Sequence, residues 1–180
     1  MAEMNALGRF LVNNPLWNYC NRRFALPIVL EHVIREDYKT IVDLGCGVGY
    51  TTEALASRFP HAEILGIDYD AKQIRKAQKR FSSERVTFAV GDGKQLSFRN
   101  NAIDAVFVFD TMHHIEQYEQ AAQEISRVLK PGGDFYALDI DKKFFNWRPI
   151  LWIDRTQSLF SKEEFITTLK EIKSSSPLTI

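Results

Sequence analysis

Cysteine is scarce in this chain of 180 residues, with only Cys20 and Cys46 present. Two such residues build no disulfide framework and show no metal-ligand spacing. A reducing, cytoplasmic setting suits them, and no metal is expected. Net charge is absent as well, since 23 basic residues balance 23 acidic ones. No overall field therefore draws in nucleic acid or an anionic membrane, although a local patch could still do so. No apolar run approaches the roughly 18 uncharged positions of a membrane helix, so no span is expected. Met1 to Gly8 contains Glu3 and Asn5, and no long apolar run follows, which reads as a chain without a secretory signal. Repeats and low-complexity segments are missing too.

What remains is a length and composition that suit one domain over 1–180, with 45% hydrophobic and 26% charged residues. Its parts are a helical N-terminal segment (1–38), a ligand-binding core (39–140), and a lid with a C-terminal helix (141–180). Leu26, Val29, Leu30, Val33 and Ile34 recur at helical spacing and predict a helix over about 24–36. Thr40 to Leu44 is a short β-branched run that stops at a glycine cluster, so it reads as a buried strand. A helix is expected over about 50–59, ended by Pro60. Strands follow at Glu63 to Asp68, Val86 to Val90, Ala105 to Asp110 and Asp134 to Ile140. Between them, Ile74, Ala77 and Phe81 mark one helix. Its other face, Lys72, Arg75, Lys76, Lys79 and Arg80, reads as solvated. Ala121, Ala122, Ile125, Val128 and Leu129 mark another helix, with Lys130-Pro131-Gly132-Gly133 as its stop. Ser161 and Glu164 have the form of a capping box before an amphipathic helix near 162–172.

Alternating strands and helices are the signature of βαβ units: an α/β fold, Rossmann-like and doubly wound, with a mostly parallel sheet and helices on both faces. In such sheets ligands sit at the carboxyl ends of the strands. The turn after the first strand reads Asp43-Leu44-Gly45-Cys46-Gly47-Val48-Gly49. Its glycines let the backbone turn tightly and approach a ligand. A dinucleotide turn needs GxGxxG, and here the third glycine comes one residue early. The second strand ends in Asp68, 19 residues after Gly49, where a carboxylate can accept ribose hydroxyls, or cap a helix or make a turn. The third ends in Gly91-Asp92-Gly93, where an acid could accept from an adenine amino group or simply make a turn.

These motifs resemble the class I S-adenosylmethionine-dependent methyltransferases of the small-molecule type. The resemblance covers roughly residues 24–175 and is strongest at Val42 to Gly49, Gly66-Ile67-Asp68, Gly91-Asp92-Gly93, Asn101 to Val106 and Leu129 to Gly133. It implies S-adenosylmethionine as cofactor, leaving as S-adenosylhomocysteine. It also implies that Gly45, Cys46, Gly47 and Gly49 form the turn against the methionine part, with Asp43 steadying that turn and facing the amino group. By the same resemblance Asp68 binds ribose, Tyr69 packs on adenine, Asp92 with Gly93 forms the adenine-binding turn, and Phe109 offers its carbonyl to the amino group. His113 and His114 match a histidine pair that faces the family's substrate mouth. A neutral-pH general base is one reading of them. A helix cap with a partly buried neighbour is the other. Adjacent histidines are expected to point apart and to make a poor metal pair.

The family's sheet usually finishes with an antiparallel strand, for which little chain remains after the last helix, so that strand is expected to be absent. An exposed sheet edge would invite pairing, and a homodimer is one outcome. A non-catalytic relative that binds the cofactor or a protein partner, and a nucleotide- or NAD-binding protein, are the rival readings. The acceptor is expected to be apolar or amphipathic. The stretches that border it in the family hold Phe10, Trp17, Tyr19, Arg22, Arg23 and Phe24 before the core, and Lys142, Lys143, Phe144, Phe145, Trp147, Arg148, Leu151 and Trp152 after it; packing as a lid on the sheet is the other reading of these aromatics.

Overall fold

The computed structural model describes residues 26–139 and 161–174, together with Asn14, Tyr19, Arg23 and Phe24. Its elements run α1 (Leu26–Glu31), β1 (Thr40–Leu44), α2 (Tyr50–Arg58), β2 (Glu63–Asp68), α3 (Ala71–Arg80), β3 (Val86–Val90), β4 (Ile103–Phe109), a 3-10 turn (Met112–His114), α4 (Tyr118–Val128), β5 (Leu129–Leu138) and α5 (Lys162–Ser174). The strands form one sheet in the order β3-β2-β1-β4-β5. Every pairing is parallel. Among the described residues no antiparallel strand joins this sheet, as the sequence led us to expect.

The strands are short apolar runs because both faces are covered. Val42, Leu44, Val106 and Val108 pack with Ile125 and Val128 of α4, and Phe165 of α5 rests against them. Ile41, Ala105 and Phe107 point the other way, onto Leu55 and Phe59 around α2, with Val29 of α1. Ile74 and Ala77 of α3 pack on Phe88 and Cys46. The capping box forms as read: the Glu164 amide donates to Ser161 Oγ at 3.2 Å, and the Ser161 amide donates to Glu164 Oε2 at 2.6 Å.

Two elements differ from the sequence reading. The first helix ends at Glu31, not near 36. Long-range polar contacts draw the next residues off the helix: Arg35 Nη1 donates to the Gly132 carbonyl at 3.1 Å, and the buried Tyr38 hydroxyl donates to Asp134 Oδ2 at 2.7 Å. The Pro-Gly-Gly stretch, expected as a turn before the last strand, lies inside β5. Ile103 pairs with Leu129 and Ala105 with Asp134, so five steps on β5 face two on β4. The extra residues bulge, as suits a proline without an N–H and Gly132 at φ 73°. Lys130 Nζ anchors the bulge on Asp104 Oδ1 at 2.7 Å.

The β3 edge is partly closed. Arg85 and Gly91 bond to β2, so strand alternation turns the polar groups of Val86, Phe88 and Val90 outward. There Gln78 Nε2 donates to the Phe88 carbonyl at 3.1 Å, and the Val86 amide donates to Ser83.

Candidate cofactor site

The glycine turn leaves β1 and returns as α2, and three partner residues, Ile67, Asp68 and Arg80, hold its shape. The amides of Gly45 and Cys46 both donate to the Ile67 carbonyl, at 2.7 and 3.0 Å. The Gly47 amide donates to Asp68 Oδ2 at 2.9 Å, so the strand-end carboxylate belongs to the turn itself. Arg80, from the end of α3, donates to the Val48 carbonyl from Nε at 2.8 Å and to the Gly49 carbonyl from Nη2 at 2.5 Å. Its Nη1 pairs with Glu53 Oε2 at 2.6 Å, and the guanidinium lies 4.1 Å from the Tyr50 ring centroid. Arg80 was read as part of a solvated face. Lys72, Arg75, Lys76 and Lys79 are exposed as expected, but Arg80 is half-buried against the turn.

Gly45 and Gly66 are required for different reasons. Gly45 has φ 79°, and a side chain there would overlap Thr111. Gly66, in β2, faces the Phe88 ring: an added Cβ would sit 2.7 Å from Phe88 Cδ1. The same ring closes on Gly49. At Gly47, by contrast, nothing lies within 4 Å of where a side chain would begin, so the turn presents an open cradle there.

Asp43 is only 1% exposed. Its Oδ2 accepts from Thr51 Oγ1 at 2.7 Å and Thr52 Oγ1 at 2.5 Å, which ties β1 to the first turn of α2. Burial pushes its carboxyl up to about 6, against the hydroxyl hydrogen bonds. These bonds join the end of β1 to the start of α2, and the side chain is enclosed rather than presented. Burial also raises Asp68, whose Oδ1 accepts the Asp70 amide at 2.8 Å. Cys46 is buried, and burial with the nearby Asp43 and Asp68 charges raises its thiol; its side chain packs with Ile74, Ala77 and Phe88.

The remaining sequence candidates fall around this turn. Tyr69 follows Asp68 and is exposed. Asp92 is half-buried in a tight turn, its Oδ1 accepting the Lys94 amide at 2.9 Å. Gly93 is buried against Ile115 and Leu44, a packing position. The Phe109 carbonyl, expected to meet the cofactor, already accepts the Thr111 hydroxyl at 2.8 Å.

The two histidines differ. His113 is 3% exposed, with Nδ1 2.5 Å from Asp139 Oδ1; His114 is half-buried. Their rings do not point apart but pack with centroids 3.9 Å apart, because the residues share a 3-10 turn. Neither caps α4, whose N-cap is Gln117. Ligand-type atoms of Asp110, His113 and Asp139 lie within 4.8 Å of one another, but the His113–Asp139 hydrogen bond already engages the ring nitrogen. Asp110 Oδ1 is buried without a hydrogen-bond partner, and burial raises that carboxyl. Of the flanking aromatic stretches, Tyr19, Arg23 and Phe24 are described and exposed. Phe10, Trp17, Arg22, Lys142, Lys143, Phe144, Phe145, Trp147, Arg148, Leu151 and Trp152 lie outside the described residues. Among the described residues no helix is long and apolar enough to cross a membrane.

Sheet order, glycine turn and strand-end aspartates together define a Rossmann-like domain of the class I methyltransferase type. The family model for the methyltransferase domain matches residues 42–137, and the chain belongs to that family, the S-adenosylmethionine-dependent methyltransferases. It is similar to sterol 24-C-methyltransferase erg6 of Aspergillus fumigatus, 36% identical over 106 residues. That match covers 57% of this chain and 28% of the fungal protein, so the chain spans well under half of that relative. It is also similar to the ubiquinone/menaquinone biosynthesis C-methyltransferase UbiE of Desulfotalea psychrophila, 29% identical over 99 residues, covering 55% of this chain and 40% of that protein. A chain from the Haloferax volcanii complex of the Trm112 methyltransferase activator shares the fold, with a TM-score of 0.80 at 20% identity, over 95% of this chain and 77% of that one.

Proposed function

We propose that this chain binds S-adenosylmethionine on the glycine turn and directs its methyl group to a small apolar or amphipathic acceptor. The observation that carries the reading is the open cradle at Gly47, bounded by the Asp68 carboxylate that also bonds the Gly47 amide. Each Asp68 oxygen has one amide donor from the chain, which leaves acceptor capacity for ribose hydroxyls. Tyr69 and Val90, exposed at the ends of neighbouring strands, offer apolar walls for adenine, and Asp92 stands at the next turn. Gly45, Cys46 and Gly47 face the methionine part.

When bound, the cofactor supplies a methyl group already activated on a sulfonium. The chain's task is then alignment and exclusion of water, and alignment of this kind is worth about 7–11 kcal/mol in the most favourable cases. With β1, β2 and β3 holding the cofactor, the carboxyl ends of β4 and β5 are left for the acceptor. That is where His113 and His114 lie. An apolar acceptor fits the sterol and quinone names of the relatives and the aromatic stretches before and after the core.

Thermal-shift and calorimetric titration test this reading. S-adenosylhomocysteine should raise the melting temperature by mass action and NAD should not. Binding of NAD without S-adenosylhomocysteine at millimolar concentration would overturn it. Transfer of labelled methyl groups to sterol and quinone-precursor panels then tests the acceptor class.

A further inference from the structure

The residue after β5 controls the turn after β4. Asp139 offers one carboxylate to three groups of that turn: Oδ2 accepts the amides of Thr111 at 3.2 Å and His113 at 3.3 Å, and Oδ1 meets His113 Nδ1 at 2.5 Å. The turn needs holding, because it starts at Asp110 with φ 51°, a left-handed conformation that non-glycine residues rarely adopt. Thr111 is buried on the far side and lies where a Gly45 side chain would be. Its hydroxyl is bonded to Phe109 O at 2.8 Å and sits 3.5 Å from Gly45 O. One unbroken line of contacts therefore runs from Asp139 through Thr111 to Gly45.

We propose that Asp139 is a positioning residue for the amino-acid end of the cofactor, acting through Thr111 on Gly45. This rests on the reading of the glycine turn as the cofactor site. It also gives the end of β5 control over the cofactor turn: whatever moves Asp139, including an acceptor seated over β5, moves the wall against which the methionine part lies. His113 belongs to the same device. Its ring is locked to Asp139 and packed under His114, so it braces the turn.

The test compares two ligands. S-adenosylhomocysteine carries the amino-acid tail, and 5′-methylthioadenosine keeps adenosine and sulfur without it. By calorimetry on the full chain, Asp139→Asn should weaken S-adenosylhomocysteine about tenfold and change methylthioadenosine less than twofold. General damage to the fold would weaken both ligands alike, and a bystander Asp139 would leave both unchanged; either result overturns the proposal. Should Asp139→Asn melt below the assay temperature, Thr111→Ala interrupts the same line of contacts and carries the same expectation. If the unmodified protein binds neither ligand, the cofactor reading itself has failed, a different result from the others.

Discussion

The Asp68 carboxylate accepts the amide of Gly47 at 2.9 Å, so the end of β2 and the turn after β1 form a single unit. The residue proposed to hold ribose is also the residue that shapes the glycine turn. On that proposal its side chain would act on the cofactor twice, by contact and by placing Gly47.

Asp68→Ala should weaken S-adenosylhomocysteine at least tenfold. Hydrogen bonds to a charged group contribute about 1.5–3 kcal/mol each, and about 1.4 kcal/mol is one decade of affinity. The fold should survive, because Asp68 ends a strand and is half-buried. Calorimetry on the folded variant checks this, and unchanged affinity would remove Asp68 from the site.

Phe88 should couple energetically to Gly66. The ring stands where a Gly66 side chain would go, so Gly66→Ala should cost about 1–3 kcal/mol as an overpacking change. In a Phe88→Ala background the same substitution should cost less, because the nearest obstacle is gone and only Cys46 Sγ, 3.0 Å from the added Cβ, remains. Urea melts of the four proteins form the cycle. Additive effects would show that the Phe88 ring is not what opposes a side chain at Gly66.

The strand ends were legible because the chemistry lies in short runs: Gly45 to Gly49, Asp68 and Asp92 each follow an apolar β-branched segment. The elements that the sequence obscured are shaped by distant partners. Nothing near Ile34 says that Tyr38 will bond Asp134 and end the helix early. Nothing in Pro131-Gly132-Gly133 says that Lys130 will find Asp104 and make a bulge instead of a loop. Arg80 is the clearest case, since periodicity alone puts it among solvated cations. Only the packing of α3 on β3 aims it at Val48 and Gly49. Asp139 carried no local signal either, beyond being an acid at a strand end.

Arg80 should resist replacement by lysine. Its guanidinium reaches two carbonyls, one carboxylate and one ring face at once. A lysine keeps the charge but is a point donor without the planar fork. Arg80→Lys should therefore resemble Arg80→Met in stability and in affinity for S-adenosylhomocysteine. Full rescue by lysine would mean that only the charge matters.

Asp43 sets a pH dependence whose sign follows from its burial. Its carboxyl is raised to about 6 from an ordinary 3.8, so the folded chain holds that proton more tightly than the unfolded chain does. The associated stability is fully present below 3.8 and is lost as pH rises through about 6. Asp43→Asn removes the ionisation while keeping an oxygen for the Thr51 and Thr52 hydroxyls. The new amide N–H groups need acceptors of their own, which adds an offset that does not vary with pH. The stability difference, variant minus unmodified protein, should therefore shift in the variant's favour between pH 4 and pH 7, and then level off. Urea melts at half-unit pH steps measure it. A difference that stays flat over this range would mean that Asp43 is already ionised at low pH in the folded protein, and that the two threonine hydroxyls outweigh the cost of its burial.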